Sequence, residues 1–158
     1  MKTIYLAGGC FWGMQKFLDS ADGVLHTEVG YANGMYDNPT YEQVKYEHTG
    51  HAETVKVVYD ESKLTLTALL RRFLRVIDPF SVNKQGEDEG EQYRTGIYFE
   101  SENDLAIALE EIALLERETG GKCAVEVLPL DNFWPAEEYH QKYLEKNPSG
   151  YCHISVKF

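Results

Sequence analysis

A chain of 158 residues, 43% hydrophobic and 26% charged, is sized for one domain with a true core. Its formal net charge of −11 excludes nucleic acid and anionic membrane surfaces as expected partners, since both demand cationic contacts. No apolar run approaches the ~20 residues of a membrane span, and Met1-Lys2-Thr3-Ile4 enters a predicted strand with no room for a signal peptide. The three cysteines, Cys10, Cys123 and Cys152, are too few and scattered for a disulfide scaffold or zinc knuckle. A cytoplasmic location is expected.

Ile4-Tyr5-Leu6-Ala7 reads as a short buried strand, and Gly13 to Leu18 as the first turns of a helix with Met14, Phe17 and Leu18 on one face. Between them lies Gly8-Gly9-Cys10-Phe11-Trp12-Gly13. Cys10 therefore falls beside a helix N-terminus, whose unpaired N–H groups and dipole favour an anion and lower a thiol's pKa. A reactive nucleophile and a buried core thiol are equally compatible with that turn alone. A strand over Leu25–Val29 and a loop rich in Gly, Asn and Pro follow. Glu53–Asp60 alternates as a half-buried strand with Val55, Val57 and Tyr59 on one face.

Leu66, Leu69, Leu70, Phe73, Leu74 and Ile77 mark an amphipathic helix stopped by Asp78-Pro79. Val82–Glu91 reads as a long acidic loop and Tyr93–Glu100 as a strand. Ser101-x-x-Asp104 resembles a capping box, opening a helix with Leu105, Ala108, Leu109, Ile112 and Leu115 inward and ended by Gly120-Gly121. Cys123–Leu130 reads as a strand with Cys123 in phase with Val125 and Val127, hence a core residue. Pro135 is expected to start a short helix running to about Leu144, before an Asn147-Pro148-Ser149-Gly150 turn. Strands alternating with helices, without repeats, give a single-domain α/β fold in two layers.

Polar groups in unusual places point to chemistry. Glu53 heads a buried strand, where burial raises a carboxyl pKa and suits a general acid. Tyr41 sits in Pro39-Thr40-Tyr41, and Tyr93 ends the acidic loop that contains Asp88. His48-x-x-His51 and Glu137-x-x-His140 have metal-like spacing but no second copy or nearby cysteine, so no metal site is expected from them.

Taken together, GGCFWG, PTY, TGHAETV, the G-x-D-x-G-x-QYR run and KNPSGYC resemble, in this order, the type A peptide methionine sulfoxide reductases, from about residue 5 to residue 154. The resemblance implies a ferredoxin-like α+β two-layer sandwich with a mixed sheet, reducing methionine S-sulfoxide, free or in proteins. It makes Cys10 the nucleophile and Glu53 the acid that protonates the sulfoxide oxygen. Tyr41 and Tyr93 become its hydrogen-bond donors, Asp88 a supporting carboxylate, and Phe11 and Trp12 the wall for the substrate methyl. Cys152 becomes the resolving thiol on a mobile segment, residues 146–158.

The resemblance also implies thioredoxin, or a dithiol such as DTT, as reductant, with no metal or bound organic cofactor, no membrane partner and a monomeric state. The physics agrees: donors aimed at a sulfoxide oxygen stabilise charge as sulfur is attacked. Cys10 and Glu53 should titrate as a pair sharing a proton. The chain departs from many relatives in having no cysteine after Cys152, which favours a two-cysteine relay. It also has Ile77, with a structural role, where relatives commonly have His, and acidic neighbours Glu87 and Glu89 around Asp88. A thiol peroxidase and a non-catalytic reader of oxidised methionine remain the alternatives.

Overall fold

The computed structural model describes residues 1–158. Six strands form one sheet: β1 (Lys2–Gly8), β2 (Val24–Ala32), β3 (Ala52–Tyr59), β6 (Thr95–Phe99), β7 (Glu126–Pro129) and β8 (Phe133–Pro135). Their order is β7-β6-β1-β3-β2-β8, antiparallel throughout except for the parallel β6–β7 pair. The acidic loop folds into a separate hairpin, β4 (Lys84–Gln85) and β5 (Asp88–Glu89). Five helices complete the chain: α1 (Phe11–Asp19), α2 (Tyr41–Tyr46), α3 (Leu66–Val76), α4 (Glu102–Thr119) and α5 (Tyr143–Lys146). The fold is a mixed α/β single domain. None of its helices is long and apolar enough to cross a membrane.

The period-2 patterns decide which sheet face is covered. Ile4 and Leu6, Val29 and Tyr31, Val55, Val57 and Tyr59, with Ile97 and Phe99, join one core with Met14, Phe17 and Leu18 of α1. Leu66, Leu69, Leu70, Phe73 and Leu74 of α3 complete it, as their spacing predicts. On the alternate positions Tyr5, Ala7, Ala32, Ala52 and Tyr98 form a thin second cluster, sheltered by Leu130 and Phe133. Phe73 is fully buried in the main core. Phe73→Ala is therefore expected to cost about 3–5 kcal/mol, read as a lower urea midpoint at unchanged slope.

Several local expectations are corrected. Leu109 is 51% exposed, and α4 instead buries Asp104, Ala108, Glu111 and Leu115. The reason is a forked ion pair: Arg71 of α3 reaches Glu111 with Nε–Oε1 2.7 Å and Nη2–Oε2 3.0 Å, turning a polar residue inward. Ser101 caps α4 without a side-chain bond; the capping box forms at Thr40 and Gln43 instead. Only Glu126–Pro129 of the 123–130 run is strand, and Pro135 starts no helix. It ends the edge strand β8 opposite Gly30, a position where its missing N–H costs nothing. A 3₁₀ turn over Glu138–His140 and then α5 follow. Tyr93 likewise belongs to a 3₁₀ turn, Glu91–Tyr93, before β6.

Candidate active site

β1 ends at Gly8 and α1 starts at Phe11, leaving Cys10 as the N-cap residue, 8% exposed. Gly9 has φ +86°, and a Cβ there would fall 2.6 Å from Cβ of Gln85. Gln85 cannot yield, because its Nε2 donates to Asp78 O (2.6 Å) and its Oε1 accepts from Asp78 N (2.9 Å). The bare glycine thus lets the β4–β5 hairpin close over the cysteine turn.

Glu53 reaches this turn from the head of β3. It is 2% exposed, and its Oε1 accepts the Phe11 N–H at 3.2 Å, satisfying a donor that the helix start leaves unpaired. Burial, reinforced by the Asp88 charge, pushes its pKa up to about 8, although the Phe11 N–H and Lys45 oppose this. At neutral pH the carboxyl keeps its proton, as a general acid requires.

The Cys10 thiol does not follow the expected helix-terminus effect. Burial pushes its pKa up, the Glu53 and Asp88 charges add to this, and the opposing Trp12 and Gly13 N–H groups are outweighed. Low polarity and two carboxyls therefore dominate over the helix dipole, so the resting pair holds both protons. Ionisation of Cys10 is favoured only where Glu53 remains neutral.

Tyr41 and Tyr93 converge on the same groups. The Thr40–Gln43 box fixes the start of α2, with Gln43 N donating to Thr40 Oγ1 at 3.2 Å and Thr40 N donating to Gln43 Oε1 at 2.9 Å. Glu137 Oε2 accepts the Tyr41 N–H at 3.1 Å, while its Oε1 accepts the Tyr31 hydroxyl at 2.8 Å. Burial, then the Glu53 charge, raises Tyr41 to about 12 and moves Tyr93 in the same direction, so both phenols stay protonated donors. Asp88 on β5 has its carboxyl raised by burial, and its Oδ2 is buried without a hydrogen-bond partner.

The aromatic surroundings contain residues that sequence reading missed. Phe11 is almost fully buried, its ring 5.7 Å from that of Tyr31 and 5.2 Å from that of His140. Trp12 is half-buried, stacks on Tyr143 at 3.7 Å and donates from Nε1 to Nδ1 of His140 at 3.0 Å. His140 also packs 4.7 Å from the Tyr41 ring. Burial lowers its pKa, so the ring is neutral, with Nδ1 the acceptor. The Glu137-x-x-His140 segment, from which no metal site is expected, braces Tyr31, Tyr41, Phe11 and Trp12. Its ExxH spacing was the available signal, and it concerned hydrogen bonds rather than a metal.

Removing that brace gives a direct test. His140→Leu is expected to raise KM for the substrate about 3–10-fold with little change in kcat, the worth of one hydrogen bond that orients the indole. Steady-state kinetics read the split.

Cys152 lies beside the same helix. Its Sγ lies 3.1 Å from the Cβ that Gly13 lacks, which puts it against the first turn of α1, and it donates to Ile154 O at 2.9 Å. All three cysteines are free thiols. Cys123 is half-buried at the edge of the core, its N–H on Glu116 Oε2 at 2.9 Å. Ile77 is buried in the main core, its side chain close to Gly8. His51 is fully buried against Gly34 and hydrogen-bonded to Thr49, and His48 is exposed in a loop. No three His, Cys, Asp or Glu side chains come together as metal ligands.

Residues 2–158 match the model of a protein family described as peptide methionine sulfoxide reductase. The chain is 58% identical over 153 residues to a protein of Lachnoclostridium phytofermentans named peptide methionine sulfoxide reductase MsrA, covering 97% of this chain and 92% of that one. Among solved structures it is similar to Mxr1 from Saccharomyces cerevisiae in reduced form: TM-score 0.93, 38% identity, 99% of this chain and 92% of that chain covered. The same yeast protein solved in complex with Trx2 matches with TM-score 0.66 and 24% identity over 99% and 90% of the two chains.

Proposed function

The chain belongs to the peptide methionine sulfoxide reductase family, and we propose that the Cys10 site is where it reduces methionine S-sulfoxide, free or in proteins, back to methionine. The observation that carries this reading is the Glu53 carboxyl, buried, still protonated at neutral pH and tied to the first N–H of the helix that Cys10 caps.

The chemistry follows from that pairing. The Cys10 sulfur attacks the sulfoxide sulfur, while Glu53 gives its proton to the sulfoxide oxygen and Tyr41 and Tyr93 donate hydrogen bonds to it. The thiol proton returns to the carboxyl, the S–O bond of the substrate and the transient sulfur–sulfur bond both break as the oxygen bonds to Cys10, and methionine leaves with Cys10 as a sulfenic acid. Substrate sulfur gains two electrons and Cys10 loses two. Phe11 and Trp12 wall the methyl group, and Asp88 supports the polar side of the site.

The Cys152 thiol then displaces water from the sulfenic acid, giving a Cys10–Cys152 disulfide that a dithiol protein of the thioredoxin kind, or DTT, reduces. The position of Cys152 against the first turn of α1 supports this relay. Residues 146–158 serve as the mobile segment that lets the two sulfurs meet, consistent with the absence of any helix or strand after Lys146. The scheme requires no metal and no bound organic cofactor, and it suits a cytoplasmic monomer. The β6-β1-β3-β2 arrangement of the four central strands, joined by α1 and α3, supports reading the fold as a ferredoxin-like two-layer sandwich.

Mass spectrometry after mixing reduced protein with methionine S-sulfoxide, without reductant, tests the assignment. One methionine per protein and a Cys10–Cys152 bridge are expected. A bridge that contains Cys123 overturns the relay, and absence of methionine overturns the function. Trp12→Ala with full peroxide turnover but lost sulfoxide turnover separates the site from that of a thiol peroxidase.

A further inference from the structure

His153 follows the resolving cysteine directly, and its surroundings define what its two ring nitrogens can do. Nε2 lies 2.8 Å from the carbonyl oxygen of Gly8. A carbonyl only accepts, so Nε2 carries the proton and Nδ1 of the neutral ring presents a lone pair. Nδ1 is buried and has no hydrogen-bond partner. It lies 3.1 Å from the Cβ that Gly13 lacks, the same distance as Cys152 Sγ from that point, so the basic nitrogen and the thiol face one spot on the first turn of α1, the thiol donating to Ile154 O in the resting state.

An unpaired buried nitrogen is costly to keep. A side chain at residue 13 would crowd both groups, so the glycine gives the pair room against α1.

We propose that His153 Nδ1 is the general base of the resolving step, accepting the Cys152 thiol proton as that sulfur attacks Cys10. The proposal rests on the reading of Cys10 and Cys152 as the relay. The step balances. The S–H bond of Cys152 breaks, its proton passes to Nδ1, and a sulfur–sulfur bond forms as the sulfur–oxygen bond of the sulfenic acid breaks. The departing hydroxide takes a proton from the imidazolium and leaves as water. The disulfide shares between its two sulfurs the two-electron oxidation that the sulfoxide delivered to Cys10, so no further oxidant is needed.

The groups facing His153 suit that cycle. Burial lowers its pKa, which keeps the resting ring neutral, while the Gly8 carbonyl and the Asp88 charge act the other way. From α1 it faces Gly13, from β1 Gly8 and the adjoining Gly9, and from the β4–β5 hairpin Gly86 and the acid Asp88. Asp88 is the only one of these with a charge, and it favours the imidazolium formed in the step. The Asp88 Oδ2 is itself buried without a hydrogen-bond partner.

Single-turnover quench experiments on the full chain with methionine S-sulfoxide test the proposal, with methionine release and loss of the dimedone-reactive sulfenic acid followed separately. In His153→Gln, whose amide can still donate to Gly8, methionine release is expected at the wild-type rate, while disulfide formation slows about 10²-fold. The rate of that second step should lose the plateau of the wild type and climb with hydroxide concentration. In His153→Ala, added imidazole should restore disulfide formation, which a merely structural role does not predict.

Wild-type rate and pH profile for disulfide formation in His153→Gln overturn the proposal. So does a slowed second step in His153→Ala that imidazole leaves unchanged. Failure of the wild type to release methionine, or a bridge through Cys123, marks instead the failure of the underlying reading.

Discussion

Cys10→Ser is expected to release no methionine from methionine S-sulfoxide above background, a loss of roughly 10⁴-fold or more. The reason goes beyond nucleophilicity. A serine oxygen has no two-electron oxidation that returns a thioether, so neither a sulfenic acid nor a disulfide can follow the attack. The fold should survive, because sulfur and oxygen differ little in size and the Phe11–Glu53 bond at the turn does not involve the thiol. Circular dichroism with a thermal scan checks that point, and chromatographic assay of methionine checks the loss. A site that only reads oxidised methionine predicts unchanged behaviour in this variant. Turnover by Cys10→Ser would sink the nucleophile assignment.

Glu53→Gln is expected to lower kcat/KM by about 10²–10⁴-fold, the usual contribution of a positioned acid. The amide oxygen can still accept the Phe11 N–H, so the turn stays intact while the transferable proton is lost. The pH dependence provides the sharper check. Glu53 is protonated below its pKa of about 8, so wild-type activity should fall as pH rises through that value, and the variant should lack this falling limb.

Stability gives the same sign by a second route. The folded pKa lies above the ordinary carboxylate value of 4.5, so the folded chain binds more protons than the unfolded chain between 4.5 and about 8. Stability held below 4.5 is therefore lost as pH rises through that window. Glu53→Gln escapes this loss and should be more stable than the wild type at pH 9, by something on the order of a few kcal/mol. Urea unfolding of both proteins at pH 4 and pH 9 measures it. Equal stability at pH 9 would mean that Glu53 is not buried in a raised-pKa site.

Periodicity located most of the main elements because burial on one face is a local property. β3 carries Val55, Val57 and Tyr59 inward, and α3 carries its leucines and Phe73 inward, as their spacings require. Where a long-range partner decides, the sequence misleads. Glu111 faces inward only because Arg71 on another helix meets it, and Leu109 is turned out in consequence. The run after Gly121 shortens to β7 and then β8 because strand pairing with β6 and β2, rather than local propensity, sets those ends.

The candidate site divides the same way. The order of its motifs marks Cys10, Tyr41, Glu53, Asp88, Tyr93 and Cys152, and with them the chemistry they could carry. Sequence also supplied the reason for glycines around the cysteine, since only close approach of another group makes them necessary. The tertiary structure decided the protonation of Cys10. The helix start predicts a lowered thiol pKa, but burial and two carboxyls from β3 and β5 raise it, and these act through space from residues 43 and 78 positions away. It alone revealed that His140 anchors Trp12 and that His153 stands beside Cys152 with its basic nitrogen bare. Residue identity is written in the chain, whereas desolvation and the tautomer of a histidine are properties of what packs against it.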